Sequence, residues 1–441
     1  MTAHTDVAVH SSPGSGSRTA ASCCGGNGHV RAAESIGGVT GYTNAQLHEI
    51  EHRWSAPNYD PLPAVLSHAK GVWVYDVEGK KYLDMLAGYS ALSFGHQHPR
   101  IMQAFLTQAQ RLTIVSRAFE NDQLGLFCKE LAEFTGFEQT LPMNTGAEAV
   151  ETAIKTARKW AYLKKRVAVD KAEIIACTRN FHGRTTTVIS MSSTPQYKDF
   201  FGPLTPGFKL IPFGDAEGLE KAITPNTAAF IVEPIQGEGG INIPPMGYLK
   251  RVREICTKHS VLMVCDEVQT GFARTGRIFA WQHEGAAAKP DMMCLGKALG
   301  GGVYPVSAVV SSREIFSVYQ AGDHGSTFGG NPLAAAVGRE AMRVMIDEKM
   351  TERAEEMGEW LRGRLRAIKS SKIKEVRGRG LLNGIEIRKE AGDAHYFVEL
   401  LLAEGVLCKD TAGQVIRITP PIVITKDECE WGIERLARVL A

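Results

Sequence analysis

Short apolar runs alternate with amphipathic stretches over much of the chain. Between residues 72 and 86, apolar and polar positions alternate and reverse at Glu78-Gly79, which predicts a short hairpin. Farther along, apolar runs of strand length are separated by segments whose apolar residues recur every three or four positions, as on a helix with one buried face. This alternation predicts an α/β fold with a doubly wound, mainly parallel sheet. The predicted strands are 140–143, 173–177, 209–212, 228–232, 261–265 and 292–295, and the predicted helices are 147–163 and 248–259.

Changes in composition and periodicity divide the chain into segments. Residues 1–36 are rich in Ser, Gly and Ala and have no apolar periodicity, so we expect a disordered leader. Near the other end, one long helical stretch is predicted over 332–361, followed by strand structure over 376–387 and a helix over 427–440. The predicted domains are a large domain at 93–335 and a smaller α+β domain formed by 37–92 and 336–441.

Length and charge narrow the classes of function. The 441 residues include 50 Lys and Arg against 48 Asp and Glu, so the chain lacks the basic field that binding to nucleic acid or an anionic membrane needs. Hydrophobic residues at 44% and charged residues at 22% are typical of a folded globular protein. The longest aliphatic runs, such as 261–265, are far shorter than the roughly 20 residues of a membrane span. We therefore expect small-molecule partners, with neither nucleic acid nor membrane among them.

Cysteine usage bears on the compartment. Nine cysteines are scattered along the chain without a C-x-x-C pair, and an odd number does not suit a disulfide framework, so a reducing compartment is expected. The leader has neither the apolar block of a secretory signal nor the Arg-rich amphipathic face of a mitochondrial presequence, which favours the cytoplasm over the alternative, the mitochondrial matrix. Cys23 and Cys24 have no ligand-spaced His or Cys nearby and are interpreted as leader thiols, not as a metal site.

Polar residues directly after two apolar runs are the first candidates for chemistry, because ligands of an open parallel sheet bind beyond the carboxyl ends of its strands. Asp266 and Glu267 close one run in V-L-M-V-C-D-E-V-Q-T-G, and Lys297 follows another in D-M-M-C-L-G-K-A-L-G-G-G. Taken singly, Asp266 is explained as a helix cap or an ion pair, and Lys297 as a solvated loop residue. Together they indicate pyridoxal phosphate, which forms a Schiff base with a lysine amine and whose ring nitrogen a carboxylate keeps protonated.

Two further stretches suit a phosphate group. Thr145, Gly146 and Ala147 open a predicted helix directly after a strand, and backbone N–H groups at a helix start bind phosphate. A plain capped helix is the alternative explanation. Ser326 and Thr327, in the glycine-rich stretch H-G-S-T-F-G-G-N-P, offer hydroxyl groups to the same phosphate.

The motif F-H-G-R offers groups for a flat ring and for a carboxylate. Phe181 can lie against the face of a cofactor ring, with His182 beside it. Arg184 can bind a carboxylate through two parallel hydrogen bonds. A core phenylalanine and a surface arginine are the alternatives.

Six motifs, in their order along the chain, resemble those of the fold-type I, class III (omega-amino acid) aminotransferases. They are N-T-G-A-E-A, F-H-G-R, E-P-I-Q-G-E-G-G, D-E-V-Q-T-G, L-G-K-A-L-G-G-G and S-T-F-G-G-N-P. The resemblance extends from about Tyr42 to the end of the chain. It implies the fold of the fold-type I pyridoxal phosphate enzymes and a homodimer with shared active sites, acting on amino acids and 2-oxo acids.

The resemblance also assigns roles around the cofactor. It implies that Lys297 forms the Schiff base and carries the proton, that Asp266 pairs with the ring nitrogen, and that Gln269 lies near the ring O3′. Phe181 would stack on the ring. The phosphate would be bound by Gly146 and Ala147 of one subunit and by Ser326 and Thr327 of its neighbour.

Substrate residues are matched to the family members that act on ornithine. In those enzymes a tyrosine and the arginine of F-H-G-R hold the α-carboxylate of the substrate. The corresponding residues here are Tyr59 and Arg184. A second tyrosine, matched by Tyr89, is replaced by aliphatic residues in the enzymes for 4-aminobutyrate. The remaining match is Glu238 and Arg417, a pair in which the glutamate neutralises the arginine for ornithine and releases it for 2-oxoglutarate.

The activity implied is ping-pong transfer of the δ-amino group of L-ornithine to 2-oxoglutarate, giving glutamate 5-semialdehyde and glutamate. Aminotransferases for N-acetylornithine or 4-aminobutyrate are the nearest alternatives, and a lyase or mutase with the same cofactor is a further one. Tyr59 and Tyr89 are otherwise explained as ordinary half-buried aromatics. A nicotinamide-dependent dehydrogenase fits poorly, because G-R-G-L-L-N-G at 378–384 misses the G-x-G-x-x-G spacing.

Overall fold

The computed structural model describes residues 41–441. The predicted leader at 1–36 and the thiols of Cys23 and Cys24 lie outside the described residues. The strands are β1 (Leu66–Lys70), β2 (Trp73–Asp76), β3 (Lys81–Asp84), β4 (Gln139–Met143), β5 (Glu173–Cys177), β6 (Phe208–Ile211), β7 (Thr227–Val232), β8 (Leu262–Asp266), β9 (Met292–Leu295), β10 (Ser307–Ser311), β11 (Ile373–Arg379), β12 (Leu382–Ile387), β13 (Val406–Leu407), β14 (Lys409–Thr411) and β15 (Val415–Ile418). The helices are α1 (Asn44–Trp54), α2 (Pro99–Ala109), α3 (Leu124–Thr135), α4 (Gly146–Leu163), α5 (Thr186–Ile189), α6 (Pro195–Lys198), α7 (Ala216–Ala222), α8 (Tyr248–Lys258), α9 (Arg313–Phe316), α10 (Pro332–Asp347), α11 (Met350–Arg366), α12 (Ala394–Ala403) and α13 (Lys426–Leu440).

A seven-stranded sheet with the order β4-β10-β9-β8-β7-β5-β6 forms the centre of the molecule. Strands β5 to β9 are parallel, and β10 is antiparallel to both of its neighbours. The prediction of an α/β fold with a mainly parallel sheet is confirmed, and all six predicted strands lie within one residue of the observed ones. The sequence analysis did not separate β10, the strand that makes the sheet mixed.

Helices cover both faces of this sheet because alternate strand residues point in opposite directions. Ile174 and Ala176 pack in one apolar cluster with the buried stripe of α4, while Ile175 and Cys177 pack in a second cluster with α8. The continuous apolar runs along the chain reflect strands that are buried on both sides. The carboxyl ends of the strands are therefore the place where polar groups can meet.

Two smaller sheets complete the fold. Strands β1, β2, β3 and β13 form one sheet, and β11, β12, β15 and β14 form the other. The predicted hairpin is present as the antiparallel pair β2–β3, and β13 from the distant carboxyl-terminal region lies parallel to β3. Residues 42–441 form one compact unit, so the proposed domain limits at 92 and 335 stay a prediction.

The prediction of a single helical stretch over 332–361 is wrong in one respect. The structure has two helices, α10 and α11, separated at Lys349, whose φ of 48° lies in the left-handed region. The apolar pattern continues across this break because both helices bury one face in the same cluster. Within residues 41–441, no helix combines the length and the apolar character needed to cross a membrane.

Candidate active site

Asp266 and Lys297 lie at the carboxyl ends of neighbouring parallel strands. Asp266 is the last residue of β8, and Lys297 follows β9 after Gly296. Because β8 and β9 run in the same direction, with Asp266 opposite Cys294, the two side chains reach the same cavity of about 180 Å³. The cavity is lined by Gly146, Ala147, Phe181, His182, Gly183, Glu233, Asp266, Val268, Gln269, Thr270 and Lys297. The structure thus brings together seven of the residues predicted for the cofactor.

Lys297 is the amine of this cavity. Burial lowers its pKa to about 8, although the negative charge of Glu238 opposes the shift. A sizeable fraction of the amine is therefore neutral near neutral pH. A neutral amine in a cavity can attack a carbonyl group or accept a proton.

Asp266 contacts a buried histidine. His182 Nδ1 lies 2.7 Å from Asp266 Oδ2, and the backbone N–H of Val268 donates to Oδ1 at 3.1 Å. Burial pulls the pKa of His182 down, but the hydrogen bond and charge of Asp266 outweigh it and raise that pKa above its ordinary value. The raised pKa favours the charged form of the imidazole, which lies beside the carboxyl group that Asp266 presents to the cavity.

Glu233 is a buried carboxyl group to which the sequence analysis assigned no role. It accepts hydrogen bonds from the backbone N–H groups of Phe181, at 3.1 Å, and Gly237, at 3.3 Å. Burial raises its pKa to about 7, with the charge of His182 opposing this. Glu233 directly follows the apolar strand β7, so the signal that pointed to Asp266 was also present here. Its carboxyl group joins the loop of Phe181 to the loop of Glu238.

The start of α4 forms one part of the cavity wall. Thr145 caps the helix by accepting from Glu148 N at 3.2 Å, and the Glu148 carboxylate accepts from Thr145 N at 2.8 Å. The N–H groups of Gly146 and Ala147 belong to the first turn, which has no acceptors within the helix. A Cβ on Gly146 would lie 2.7 Å from Val268 Cγ1, so only glycine lets this turn approach the cavity wall.

An ion pair between a fully buried arginine and a partly exposed glutamate lies beside this cavity. Arg417 Nη1 contacts Glu238 Oε1 at 2.7 Å, and Gln269 Nε2 donates to the same oxygen at 3.3 Å. Burial raises the pKa of Glu238, but the charge of Arg417 outweighs it and leaves that pKa below the ordinary value. The Tyr89 ring centroid is 5.0 Å from the guanidinium carbon of Arg417. Arg417, Glu238 and Tyr89 were all predicted as substrate residues, and they meet here.

Four further predicted residues belong neither to the cavity wall nor to the group of Arg417, Glu238 and Tyr89. Arg184 is exposed and stacks on the Tyr197 ring at 3.6 Å. Ser326 accepts a hydrogen bond from Asn144 at 2.8 Å, next to the α4 start, while Thr327 is exposed. Tyr59 is 83% exposed and lies with Tyr89 on the wall of a separate cavity of about 950 Å³. Their roles in binding substrate or cofactor stay predictions.

The residues present fit pyridoxal phosphate. An amine, a charged carboxylate, an aromatic ring and free first-turn N–H groups line one small cavity. Several buried polar atoms around it lack hydrogen-bond partners among the described residues, namely Gln269 Oε1, Arg417 Nε and Arg417 Nη2. Such atoms are expected where a ligand supplies the missing partners. Lys297, Asp266, Phe181 and the α4 start are the groups that would hold the cofactor.

This fold and site define a pyridoxal-phosphate-dependent aminotransferase. Residues 54–440 match the aminotransferase class-III family, and the chain belongs to that family. The chain is 54% identical over 396 residues to an ornithine aminotransferase of Geobacillus sp. (strain WCH70), covering 90% of this chain and 98% of that protein.

Solved structures agree with this placement. An ornithine aminotransferase structure from Toxoplasma gondii, described with partial occupancy of PLP at its active site, matches with a TM-score of 0.88 at 47% identity, covering 90% of this chain and 94% of that one. An acetylornithine aminotransferase from Elizabethkingia anophelis matches with a TM-score of 0.82 at 43% identity, covering 91% and 99%. The predicted family, fold-type and cofactor are confirmed.

Proposed function

We propose that this enzyme transfers the δ-amino group of L-ornithine to 2-oxoglutarate, releasing glutamate 5-semialdehyde and glutamate. The observation that carries the proposal is the Arg417–Glu238 pair at 2.7 Å, in which the guanidinium is fully buried, with Tyr89 beside it. The 54% identity to an ornithine aminotransferase over most of both chains supports it. When bound, pyridoxal phosphate supplies an electron-accepting ring that stabilises negative charge on the reacting carbon.

The chain's own residues supply proton handling and charge. Lys297 Nζ accepts and returns a proton within the cavity, which its lowered pKa allows near neutral pH. Asp266, in contact with His182, presents its carboxyl group to the cavity, where it would pair with the ring nitrogen of the cofactor. The first-turn N–H groups of Gly146 and Ala147 bind the dianionic end of the cofactor.

The Arg417–Glu238 pair accounts for two different substrates at one site. With Glu238 in place, Arg417 is neutralised and the pocket accepts an uncharged methylene chain ending in an amine. When Glu238 moves away, Arg417 is free to bind the carboxylate that 2-oxoglutarate carries near its carbonyl carbon. An unpaired buried charge is costly, so each state needs a partner for the guanidinium.

The remaining predicted residues complete the proposal. Tyr59 and Arg184 would hold the α-carboxylate of ornithine, and Ser326 and Thr327 would reach the phosphate of a second subunit. Both Thr327 and Tyr59 are exposed and are available to such a neighbour. We therefore infer a homodimer with shared active sites. The free thiols found at the seven described cysteines support a cytoplasmic location.

N-acetylornithine is the second candidate amine, favoured by the similarity to the Elizabethkingia acetylornithine aminotransferase. The two substrates share a free δ-amino group on the same carbon chain and differ in whether the α-amino group is acylated. The same Arg417–Glu238 pair would serve either one. A comparison of the two amines therefore decides between them.

The direct test follows the absorbance of the purified holoenzyme through each half-reaction. Ornithine should convert the cofactor spectrum to that of its amine form, and 2-oxoglutarate should then restore it. We expect kcat/KM for ornithine to exceed that for N-acetylornithine and 4-aminobutyrate at least about tenfold, which is about 1.4 kcal/mol of transition-state preference. Conversion that is faster with either rival amine, or release of carbon dioxide, would overturn the assignment.

The uptake of pyridoxal phosphate by the apoenzyme should depend on pH in a specific way. The pKa of Lys297 is about 8, and the neutral amine is the form that attacks an aldehyde. The rate should fall about tenfold for each unit below this pH and level off above it, whereas a solvated lysine would gain rate to about pH 10. Stopped-flow absorbance during reconstitution measures the profile. A rate that still climbs steeply at about pH 10 contradicts the assigned environment.

A further inference from the structure

Arg274 is a fully buried cation whose partners are neutral. Its Nη1 donates to the backbone carbonyl oxygens of Pro420, at 2.6 Å, and Leu381, at 3.1 Å, and its Nη2 donates to Ser93 Oγ at 3.0 Å. Within residues 41–441, no carboxylate lies within ion-pair distance of it, and burial lowers its pKa against the opposing charge of Asp84. Burying a charge without a direct counter-ion is costly. The hydrogen bonds that Arg274 makes must therefore offset the cost of burying its charge.

The three acceptors come from three segments, and two of these segments also carry residues of the candidate site. Ser93 follows Tyr89 by four positions, Pro420 follows Arg417 by three, and Leu381 lies in the turn between β11 and β12. Arg274 itself follows Gln269 by five positions, in the loop that starts at Asp266. One guanidinium thus links the loop that holds the cofactor residues to both segments that hold substrate residues.

The contact of the Arg274 loop with the segments of Ser93, Leu381 and Pro420 is called the junction below, and backbone hydrogen bonds also hold it together. Leu381 N donates to Arg274 O at 3.0 Å, and Ile422 N donates to Ser93 O at 2.8 Å. A Cβ on Gly380 would lie 2.7 Å from Arg274 O, so the β11–β12 turn touches the Arg274 backbone directly. The guanidinium of Arg274 donates hydrogen bonds to all three segments.

We propose that Arg274 is a positioning residue that sets the distance of Arg417 and Tyr89 from the cofactor-holding loop and thereby the affinity for the substrate carboxylate. The effect on substrates rests on the proposed function. The planar guanidinium donates along several fixed directions, which the single ammonium group of lysine cannot reproduce. Loss of the fork should therefore loosen the junction while the positive charge is kept.

The test is Arg274→Lys in the full-length holoenzyme. We expect unchanged cofactor absorbance, KM for 2-oxoglutarate and for ornithine raised at least about tenfold, and kcat changed by less than about threefold, because a binding interaction rather than the chemical step is weakened. Hydrogen–deuterium exchange at the amides of Leu381 and Ile422 should become at least about tenfold faster, since both hydrogen bonds lie in the junction.

Arg435→Lys is the control. Arg435 is half-buried and also donates to backbone carbonyl oxygens, those of Trp431 at 2.9 Å and Glu404 at 3.2 Å, but these contacts lie within α13 and between α13 and the end of α12, and they touch none of the three segments that Arg274 links. This variant should lose thermal stability while both KM values stay within about twofold of wild type. Equal KM increases in the two variants would show a general packing defect and overturn the proposal.

Ser93→Ala keeps the test valid if Arg274→Lys does not fold. It removes one acceptor and leaves the charge, so KM should rise about two- to fivefold with faster exchange at Ile422. Unchanged KM and unchanged exchange in this variant would refute the role of Arg274. If the wild-type enzyme does not react with ornithine, the proposed function fails, while the exchange data and the glutamate half-reaction still test Arg274.

Discussion

Replacement of Lys297 by alanine should lower the rate of transamination by about 10⁴-fold and remove the visible absorbance of the covalently held cofactor. Lys297 is the amine that lines the cavity between Asp266 and the α4 start. General acid–base catalysis contributes about 10²–10⁴-fold to a rate, and this variant loses the covalent link as well. Absorbance spectra and single-turnover rates with ornithine measure both effects.

Lys165→Ala is the matched control for this variant. Lys165 is half-buried, with a pKa lowered by burial, and its Nζ donates to Thr227 O at 2.8 Å and His259 O at 3.1 Å. Its loss should affect stability and leave the spectrum and the single-turnover rate intact. Full colour and turnover in Lys297→Ala, or the same loss in Lys165→Ala, would exclude Lys297 as the cofactor lysine.

Replacement of Glu238 by alanine should reverse the substrate preference. The change leaves Arg417 buried without its carboxylate, and Arg417 already has two nitrogen atoms that lack partners among residues 41–441. A free guanidinium favours glutamate and 2-oxoglutarate, which bring a carboxylate to it, and disfavours ornithine. We expect kcat/KM for ornithine to fall about 10- to 100-fold and that for glutamate to stay equal or rise, a change of about 1.4–2.8 kcal/mol in relative transition-state binding.

Glu130→Ala provides the comparison for this effect. The Glu130 side chain is 28% exposed and contacts Arg339 at 2.7 Å, close to the 27% and 2.7 Å of Glu238 with Arg417. It lies on α3, outside the residues that line the cofactor cavity. Separate half-reaction kinetics with ornithine and glutamate should therefore change in Glu238→Ala and stay constant in Glu130→Ala. An unchanged preference in Glu238→Ala would rule out the switch.

Single strands and helices could be predicted because their signals lie in neighbouring residues. The apolar runs located the strands because residues buried on both faces of a parallel sheet form short continuous stretches. The same runs placed Asp266 and Lys297 at strand ends, and strand direction alone brings such residues to one edge of a sheet. The break at Lys349 escaped the periodicity because two successive helices bury the same kind of face.

The contacts of the candidate site were harder to predict because they join residues that are far apart along the chain. Arg417 and Glu238 are 179 positions apart, and only the resemblance to a family paired them before the structure was considered. Glu233 followed an apolar strand, as Asp266 does, yet its bonds to Phe181 and Gly237 depend on two loops folding toward one carboxyl group. Spacing along the chain carries no information about such meetings.

The amino-acid order by itself determined the class of fold, the positions of the strands, and the residues that end them with an amine and a carboxylate. Backbone preference and burial of one face or two are local properties, and they are written in the neighbouring residues. The tertiary structure decided which charges are neutralised, how His182 supports Asp266, and that Arg274 joins three distant segments. These contacts depend on the packing of all segments at once, because a buried charge is stable only where separate parts of the chain supply its partners together.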